Sequence, residues 1–328
     1  MPKVELHLHL EGSLSSQTLR ELSRSKGTCE AEVDRWLEGL RRRNFRYENF
    51  QEFIAAYKFV ARHLESPADY AFAAERLVED LARQNVRYAE VTLSAGMVLW
   101  KKQGLEAVFE AVARGAADVG AQRGVRINWI FDAVRHFGVE PAREVLQVAA
   151  RYLDKGVVAF GIGGDEVRGP AELFVDLYRE ARDLGLHTTA HAGETAGPQS
   201  VRAAVELLGA ERIGHGLAAA QDPAVLALLR ERGVPLEVSL TSNVATGALA
   251  QVSDHPLPRF LDEGVCVTLN SDDPGLFGTT LEQEFRLAAE TFGLSREQLE
   301  GFTANAIHAA FLAEAEKSEL RKALQAAL

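Results

Sequence analysis

A chain of 328 residues, 47% hydrophobic and 25% charged, has the make-up of a globular protein, and no stretch approaches the ~18 consecutive apolar residues of a membrane helix. Its formal net charge of −11 disfavours nucleic acid and anionic membranes as partners, because binding by counterion release needs a basic surface. Its two cysteines, Cys29 and Cys266, make no disulfide framework and exclude a multi-cysteine zinc cage.

The chain opens Met-Pro-Lys-Val-Glu-Leu-His, without the basic start, apolar core and cleavage site of a signal peptide, so a cytoplasmic protein is expected. Short β-branched or apolar segments then recur at 3–10, 86–93, 125–131, 157–162, 186–191, 212–215, 234–240 and 265–270. Most are mixed or wholly apolar rather than alternating, as parallel strands covered on both faces should be. Helical patterns lie between them, at 17–25, 49–64, 68–84, 105–122, 140–153, 171–184, 198–208, 223–232 and 256–263, and a helical tail begins at Leu281. The basic cluster Arg41-Arg42-Arg43 with Arg46 reads as a solvated helix end or loop. Gly124, Gly156, Gly185, Gly209, Gly233 and Gly264 each sit between a helix and the next strand, which is where helices stop.

Eight strands alternating with helices predict an α/β fold, a (β/α)8 TIM barrel, in preference to a doubly wound open sheet. Polar clusters fall at the ends of the first, fifth, sixth and eighth strands, and only closure brings the first and eighth together. The stretch from Ser13 to Asn85 is too long for one crossover and implies a helical insertion over the barrel mouth. No Gly/Ser/Pro-rich linker interrupts the chain, so residues 1–328 are expected to form a single domain.

His7 and His9 alternate on the first strand, so both point to one side, roughly 6.5–7 Å apart. His191 ends the fifth strand and Asp272 the eighth. Three imidazole nitrogens and a carboxylate oxygen suit one zinc ion, or another divalent transition metal, with a position left for water. His187 lies on the same face as His191 but roughly 13 Å away along the strand, too far to share the ion. Glu194 follows His191 in a Gly-containing loop and could give a proton to a ring nitrogen of a bound heterocycle, provided burial raises its pKa. His215, between Gly214 and Gly216, could orient a metal-activated water or take its proton, its small neighbours allowing close approach. Asp272 and Asp273 point to opposite sides of a strand end. The Gly161-Ile-Gly-Gly-Asp-Glu166 loop offers backbone N–H groups but lacks the Lys-Ser/Thr of a phosphate-binding loop. The fourth strand also ends without a lysine, which disfavours a two-metal, phosphotriesterase-like hydrolase.

These residues together make the chain resemble the adenosine deaminase family of metal-dependent purine aminohydrolases. The resemblance runs through Val4-Glu-Leu-His-Leu-His-Leu-Glu-Gly12, Gly164-Asp-Glu166, His191-Ala-Gly-Glu194, Gly214-His-Gly216, Thr241-Ser-Asn243 with Thr246-Gly247, and Asn270-Ser-Asp-Asp-Pro274. It implies zinc held by His7, His9, His191 and Asp272. It further implies Glu194 protonating N1 of the purine, His215 assisting attack of water on C6, Asp273 accepting a hydrogen bond at N7, and the Gly164 N–H meeting N3. Glu11 stands where adenosine deaminases carry Asp, at a position associated with the ribose 5′-hydroxyl.

The expected reaction is hydrolysis of a 6-aminopurine nucleoside, adenosine or 2′-deoxyadenosine first, to the 6-oxopurine and ammonia. Glu11 makes 6-aminodeoxyfutalosine, a menaquinone precursor, the alternative, and adenine is third. Arg135-His136 after the third strand is placed to meet whatever hangs off C5′. A nucleic-acid-editing zinc deaminase needs Pro-Cys-x-x-Cys, which two cysteines at 29 and 266 cannot supply. A ligand-binding barrel without catalysis would have lost a metal ligand or Glu194, and none is missing.

Overall fold

Strands apolar on both faces must be covered on both, and here they roll into a barrel wrapped by helices. The computed structural model describes residues 1–27 and 30–326, so Cys29 lies outside the described residues. Its sheet has eight strands, all parallel and ordered as in the sequence. They are β1 (Lys3–His9), β2 (Val86–Leu93), β3 (Arg126–Val134), β4 (Val157–Gly163), β5 (His187–Ala192), β6 (Arg212–His215), β7 (Leu236–Val238) and β8 (Val267–Leu269).

Most of these follow the expected segments closely, and three depart. β3 runs on to Val134, while β7 and β8 keep only the middles of their expected ranges. Leu240, expected to end the seventh strand, instead starts the short helix Leu240–Ala245. After β8, Asp272 adopts a left-handed backbone with φ of 62°.

β1 and β8 close the barrel, with side chains completing sparse backbone pairing. His9 N–H donates to the Asp272 carbonyl at 2.9 Å, and Asp272 N–H to the His7 carbonyl at 3.1 Å. Below them Asn270 Oδ1 accepts from the N–H groups of Leu6 and His7 at 3.0 and 3.1 Å, standing in for a strand carbonyl. Buried Glu5 takes the Ser271 N–H and hydroxyl at 2.8 and 2.6 Å. The seam that shuts the barrel therefore fixes His7 and His9 beside Asp272.

Between β1 and β2 stand α1 (Ser16–Ser25), α2 (Glu30–Arg42), α3 (Phe50–Ala61) and α4 (Pro67–Arg83). α4 opens with a capping box at Ser66 and Asp69 and packs beside the helix Leu105–Arg123 on the outside of the barrel. α1 to α3 are thus the insertion, and α3 turns Phe53, Ile54 and Tyr57 to the barrel mouth. The sequence reading left α2 out. It buries Val33, Leu37 and Leu40 and ends in Arg41 and Arg42, so the basic cluster is indeed a solvated helix end. Arg42 pairs there with Glu38.

Helices Leu281–Phe292, Arg296–Ala309 and Glu314–Ala326 form the tail. Phe311, between the last two, closes the barrel floor. Its N–H donates to Glu90 at 2.6 Å, and its ring lies 3.8 Å from the Arg212 guanidinium and 4.2 Å from the His187 ring. No helix among the described residues is long and apolar enough to cross a membrane.

Candidate active site

Four side chains from three strand ends meet at the top of the barrel. One donor atom each from His7, His9, His191 and Asp272 lies within 4.8 Å of all the others. His9 Nε2 is 3.3 Å from His191 Nε2, and Asp272 Oδ1 is 3.3 Å from both His7 Nε2 and His9 Nε2. Tetrahedral zinc with ligand bonds of about 2.0–2.2 Å needs its donors about 3.3–3.6 Å apart. His7 Nε2 is moreover buried without a hydrogen bond, facing the cluster. The donor set and its spacing fit a zinc-like ion.

Electrostatics agree with that fit. Burial drives His9 to a pKa of about 4 and His191 well below the ordinary imidazole value, so both rings are neutral and free to bind a cation. Burial also opposes charge on His7, but the carboxylates of Asp272 and Glu237 outweigh it and hold its pKa well above normal. The cluster wants one positive charge, which a proton or a metal ion can supply.

A supporting shell lies behind these groups, and it was not picked out from the sequence. Glu237 Oε2 sits 2.8 Å from His7 Nδ1, and its Oε1 accepts from Arg212 Nε at 2.6 Å. Arg212 in turn lies 2.6 Å from Glu90 Oε2. Ser242 donates to Asp272 Oδ2 at 2.7 Å, and the Asn243 amide lies 3.3 Å from His215 Nδ1. The signal was a lone charge in an apolar strand, as in Leu236-Glu-Val238, and the Thr241-Ser-Asn243 motif, whose contacts sequence spacing does not disclose.

The candidate acids gather at the same mouth. Glu194 Oε2 is 3.7 Å from His215 Nε2, and burial, with Asp272 and Glu166 nearby, pushes its pKa well above the carboxylate range. Asp273 is buried, its Oδ1 has no hydrogen-bond partner, and burial beside Asp272 raises its pKa well above normal too. Burial lowers His215 to about 4, leaving a neutral ring. Asp132, which sequence reading passed over, also lines the pocket, with burial raising it to about 8. His215 and Asp272 both hold φ of 62° without being glycine. Such residues each store about 1–3 kcal/mol of strain, and here they turn side chains inward.

The room beside Gly214 and Gly216 is filled by His7 and Leu236, so these glycines admit protein rather than substrate. Glu11 does not line the pocket. It lies behind Tyr57 and Ser94, accepting the Tyr57 hydroxyl at 3.2 Å and the Ser94 N–H at 3.2 Å. Arg135 and His136 part company: His136 lines the pocket with Gly164, whereas Arg135 is buried and turned to the carbonyls of Gly169 and His191. His187 sits at the opposite end of β5, half exposed and hydrogen-bonded to Glu211.

A family model described as adenosine deaminase matches residues 2–327. Aminodeoxyfutalosine deaminase of Streptomyces avermitilis is 37% identical over 322 residues, covering 98% of this chain and 89% of that one. Adenosine deaminase of Salmonella typhi is 34% identical over 329 residues, covering 100% and 98%. The structure of adenine deaminase from Arthrobacter aurescens superposes with a TM-score of 0.91 at 28% identity, covering 99% and 98%. An amidohydrolase from Burkhoderia ambifaria with bound zinc gives a TM-score of 0.87 at 28% identity, covering 99% and 90%.

Proposed function

This chain belongs to the adenosine deaminase family and is a deaminase of adenosine-like purines; we propose that it hydrolyses the 6-amino group of a purine nucleoside, with one zinc ion held by His7, His9, His191 and Asp272. One observation carries this reading. A buried carboxylic acid, Glu194, whose pKa burial and the nearby Asp272 and Glu166 raise, stands beside a cluster of four metal donors.

When bound, the metal lowers the pKa of a water molecule towards 7 and makes a nucleophile available at neutral pH. The chain's own residues move the protons. Glu194 gives its proton to N1 as the water oxygen bonds to C6, so negative charge does not build on the ring. Neutral His215 takes the proton that the water sheds and passes it to the amino group, which leaves as ammonia. The remaining hydroxyl proton returns to Glu194 as the C6 carbonyl forms. One hydrogen of water thus ends on ammonia and the other restores Glu194, whose own proton stays on N1.

Gly164 offers its N–H to N3. The expected polarity at N7 has to be reversed. N7 carries a lone pair and can only accept, so Asp273 must donate, and its raised pKa supplies the proton. Glu11 acts through Tyr57 and Ser94 rather than by touching the ribose itself.

The nucleoside's far end is the open choice, and the pocket mouth bears on it. Phe50, Phe53, Ile54, Met97 and Phe137 make an apolar wall, with Lys58 beside it. Adenine would leave that wall empty, and adenosine would put only a hydroxymethyl group against it. 6-Aminodeoxyfutalosine carries a carboxylated aromatic group beyond C5′, which suits an aromatic wall with an ammonium group. We therefore place it ahead of adenosine, and adenine last. Steady-state kinetics on the three compounds test the order. The proposal expects kcat/KM for 6-aminodeoxyfutalosine to exceed that for adenosine at least about tenfold, the worth of a well-filled apolar pocket. Equal values, or adenosine ahead, would sink it.

A further inference from the structure

The motif Gly164-Asp-Glu166 ends in a carboxylate, Glu166, that takes no part in the proposed proton transfers. Glu166 is 3% exposed, does not line the pocket, and faces the loop that leaves β5. Its Oε2 accepts the Gly193 N–H at 2.8 Å. Its Oε1 accepts the N–H groups of Glu194 and Thr195 at 2.9 and 2.7 Å, with that of Ala196 at 3.4 Å. The hydroxyls of Thr195 and Ser200 complete the set, at 3.3 and 2.5 Å. A succession of backbone N–H groups curls around one carboxylate, and charge-assisted bonds of this kind are roughly twice as strong as neutral ones.

Arg135 grips the same loop from its other side. It is 1% exposed, and its Nη1 donates to the His191 carbonyl at 2.8 Å. Its Nε donates to the carbonyl of Gly169, on the loop that carries Glu166, at 2.5 Å. The path between is tight: Gly193 has φ of 72°, and a Cβ there would lie 2.5 Å from Val201 Cγ2. The chain from 191 to 196 is therefore held at its carbonyl by a guanidinium and at its amides by a carboxylate.

We infer that Glu166 and Arg135 form a positioning clamp that sets where the Glu194 carboxyl meets the substrate. The inference rests on the reading of Glu194 as the acid. Glu166 touches no reacting atom and acts only through the backbone of the residue that does. An amide in its place puts N–H groups against backbone N–H groups, so the loop must move, and a shift of about 1 Å at a reacting group costs on the order of 10²-fold in rate.

The test compares Glu166→Gln, Glu166→Asp and Glu194→Gln with wild type, using whichever of adenosine, adenine and 6-aminodeoxyfutalosine wild type converts fastest. Glu166→Gln should lose on the order of 10²-fold in kcat, with KM and metal content within about threefold of wild type. Glu166→Asp, which keeps the charge, should recover part of that loss. A purine nucleoside with a tetrahedral, hydroxyl-bearing C6 should bind more weakly to Glu166→Gln in proportion to kcat/KM, while the planar 6-oxo product binds as before. In the Glu194→Gln background, Glu166→Gln should add nothing to the loss of tetrahedral-inhibitor binding. Wild-type kcat in Glu166→Gln overturns the inference. So does an equal fall in metal content and in the binding of both inhibitors, which marks a scaffold residue. If Glu194→Gln keeps full turnover, the acid reading fails first and the clamp fails with it.

Discussion

Replacing Glu237 with Gln exchanges one oxygen for an NH2 at the far side of His7, a proposed metal ligand. In the wild type Glu237 Oε2 lies 2.8 Å from His7 Nδ1 and its Oε1 accepts from Arg212 Nε at 2.6 Å. With Nδ1–H donated to the carboxylate, the lone pair of His7 Nε2 faces the cluster, as a ligand must. A glutamine has one acceptor for two donors. If its oxygen stays on Arg212, its NH2 donates to Nδ1 and the ring proton moves to Nε2, where it blocks the metal. If its oxygen turns to His7, its NH2 meets the guanidinium. Loss of such a partner costs about 10–100-fold in metal affinity, or about 1.4–2.7 kcal/mol. Arg212, between Glu90 and Glu237, also loses half its countercharge, and breaking a buried pair costs about 3–5 kcal/mol of stability. Titrating the loaded protein with a chelator, alongside urea unfolding of the metal-free form, measures both. Metal affinity within twofold of wild type in a folded Glu237→Gln protein would refute the tautomer argument.

As the proposed acid, Glu194 must be protonated to act, and burial raises its pKa, so activity should fall as pH rises through that pKa. A kcat/KM profile checks this: the alkaline limb should be present, and Glu194→Gln should lack it in whatever activity it keeps. A Cβ at Gly12 would lie 1.6 Å from Asp273 Oδ1, so Gly12→Ala must swing that carboxyl away. kcat/KM should drop at least about tenfold with metal content unchanged, and a wild-type value would count against Asp273 contacting the purine. Burial raises Glu11 from 4.5 to about 7 in the folded protein. As pH rises from about 4.5 to about 7 the unfolded chain releases this proton while the folded one keeps it, so stability falls across that window. At about 1.4 kcal/mol per unit the loss is about 3 kcal/mol, and Glu11→Gln should escape it. Urea midpoints at about pH 4.5 and about pH 8 report the difference; a gap between variant and wild type that does not change with pH contradicts it.

The grouping of His7 and His9 as candidate metal donors was legible because strand alternation is local. His7 and His9, two residues apart, must share a face, and a barrel puts strand ends at one mouth. The supporting shell was not, because each partner lies far along the chain. Glu237 meets His7 across 230 positions, and Glu166 meets its amides 27 to 30 positions on. A buried charge in an apolar strand says that a partner exists without naming it. Arg135 and His136 looked like one feature, yet β3 ends at Val134 and a single 3-10 turn, Arg135–Phe137, sends successive side chains apart, so only His136 reaches the pocket. α2 was passed over although Val33, Leu37 and Leu40 keep helical spacing, because three apolar positions among so many charges make a faint stripe. β8 stops early because the Ser271 N–H goes to Glu5 at the β1–β8 seam, and β7 because the chain turns into the helix Leu240–Ala245.

The central claim is that Glu194 and a zinc-loaded cluster together remove the 6-amino group of a purine nucleoside. The most direct measurement follows ammonia release and the absorbance of the adenine ring, with 6-aminodeoxyfutalosine and adenosine as substrates, for wild type and Glu194→Gln at full metal occupancy. The account predicts steady conversion by wild type and loss of about 10²–10⁴-fold in Glu194→Gln, with the metal retained. Metal-loaded wild type that converts neither compound, or a Glu194→Gln protein as fast as wild type, would contradict it.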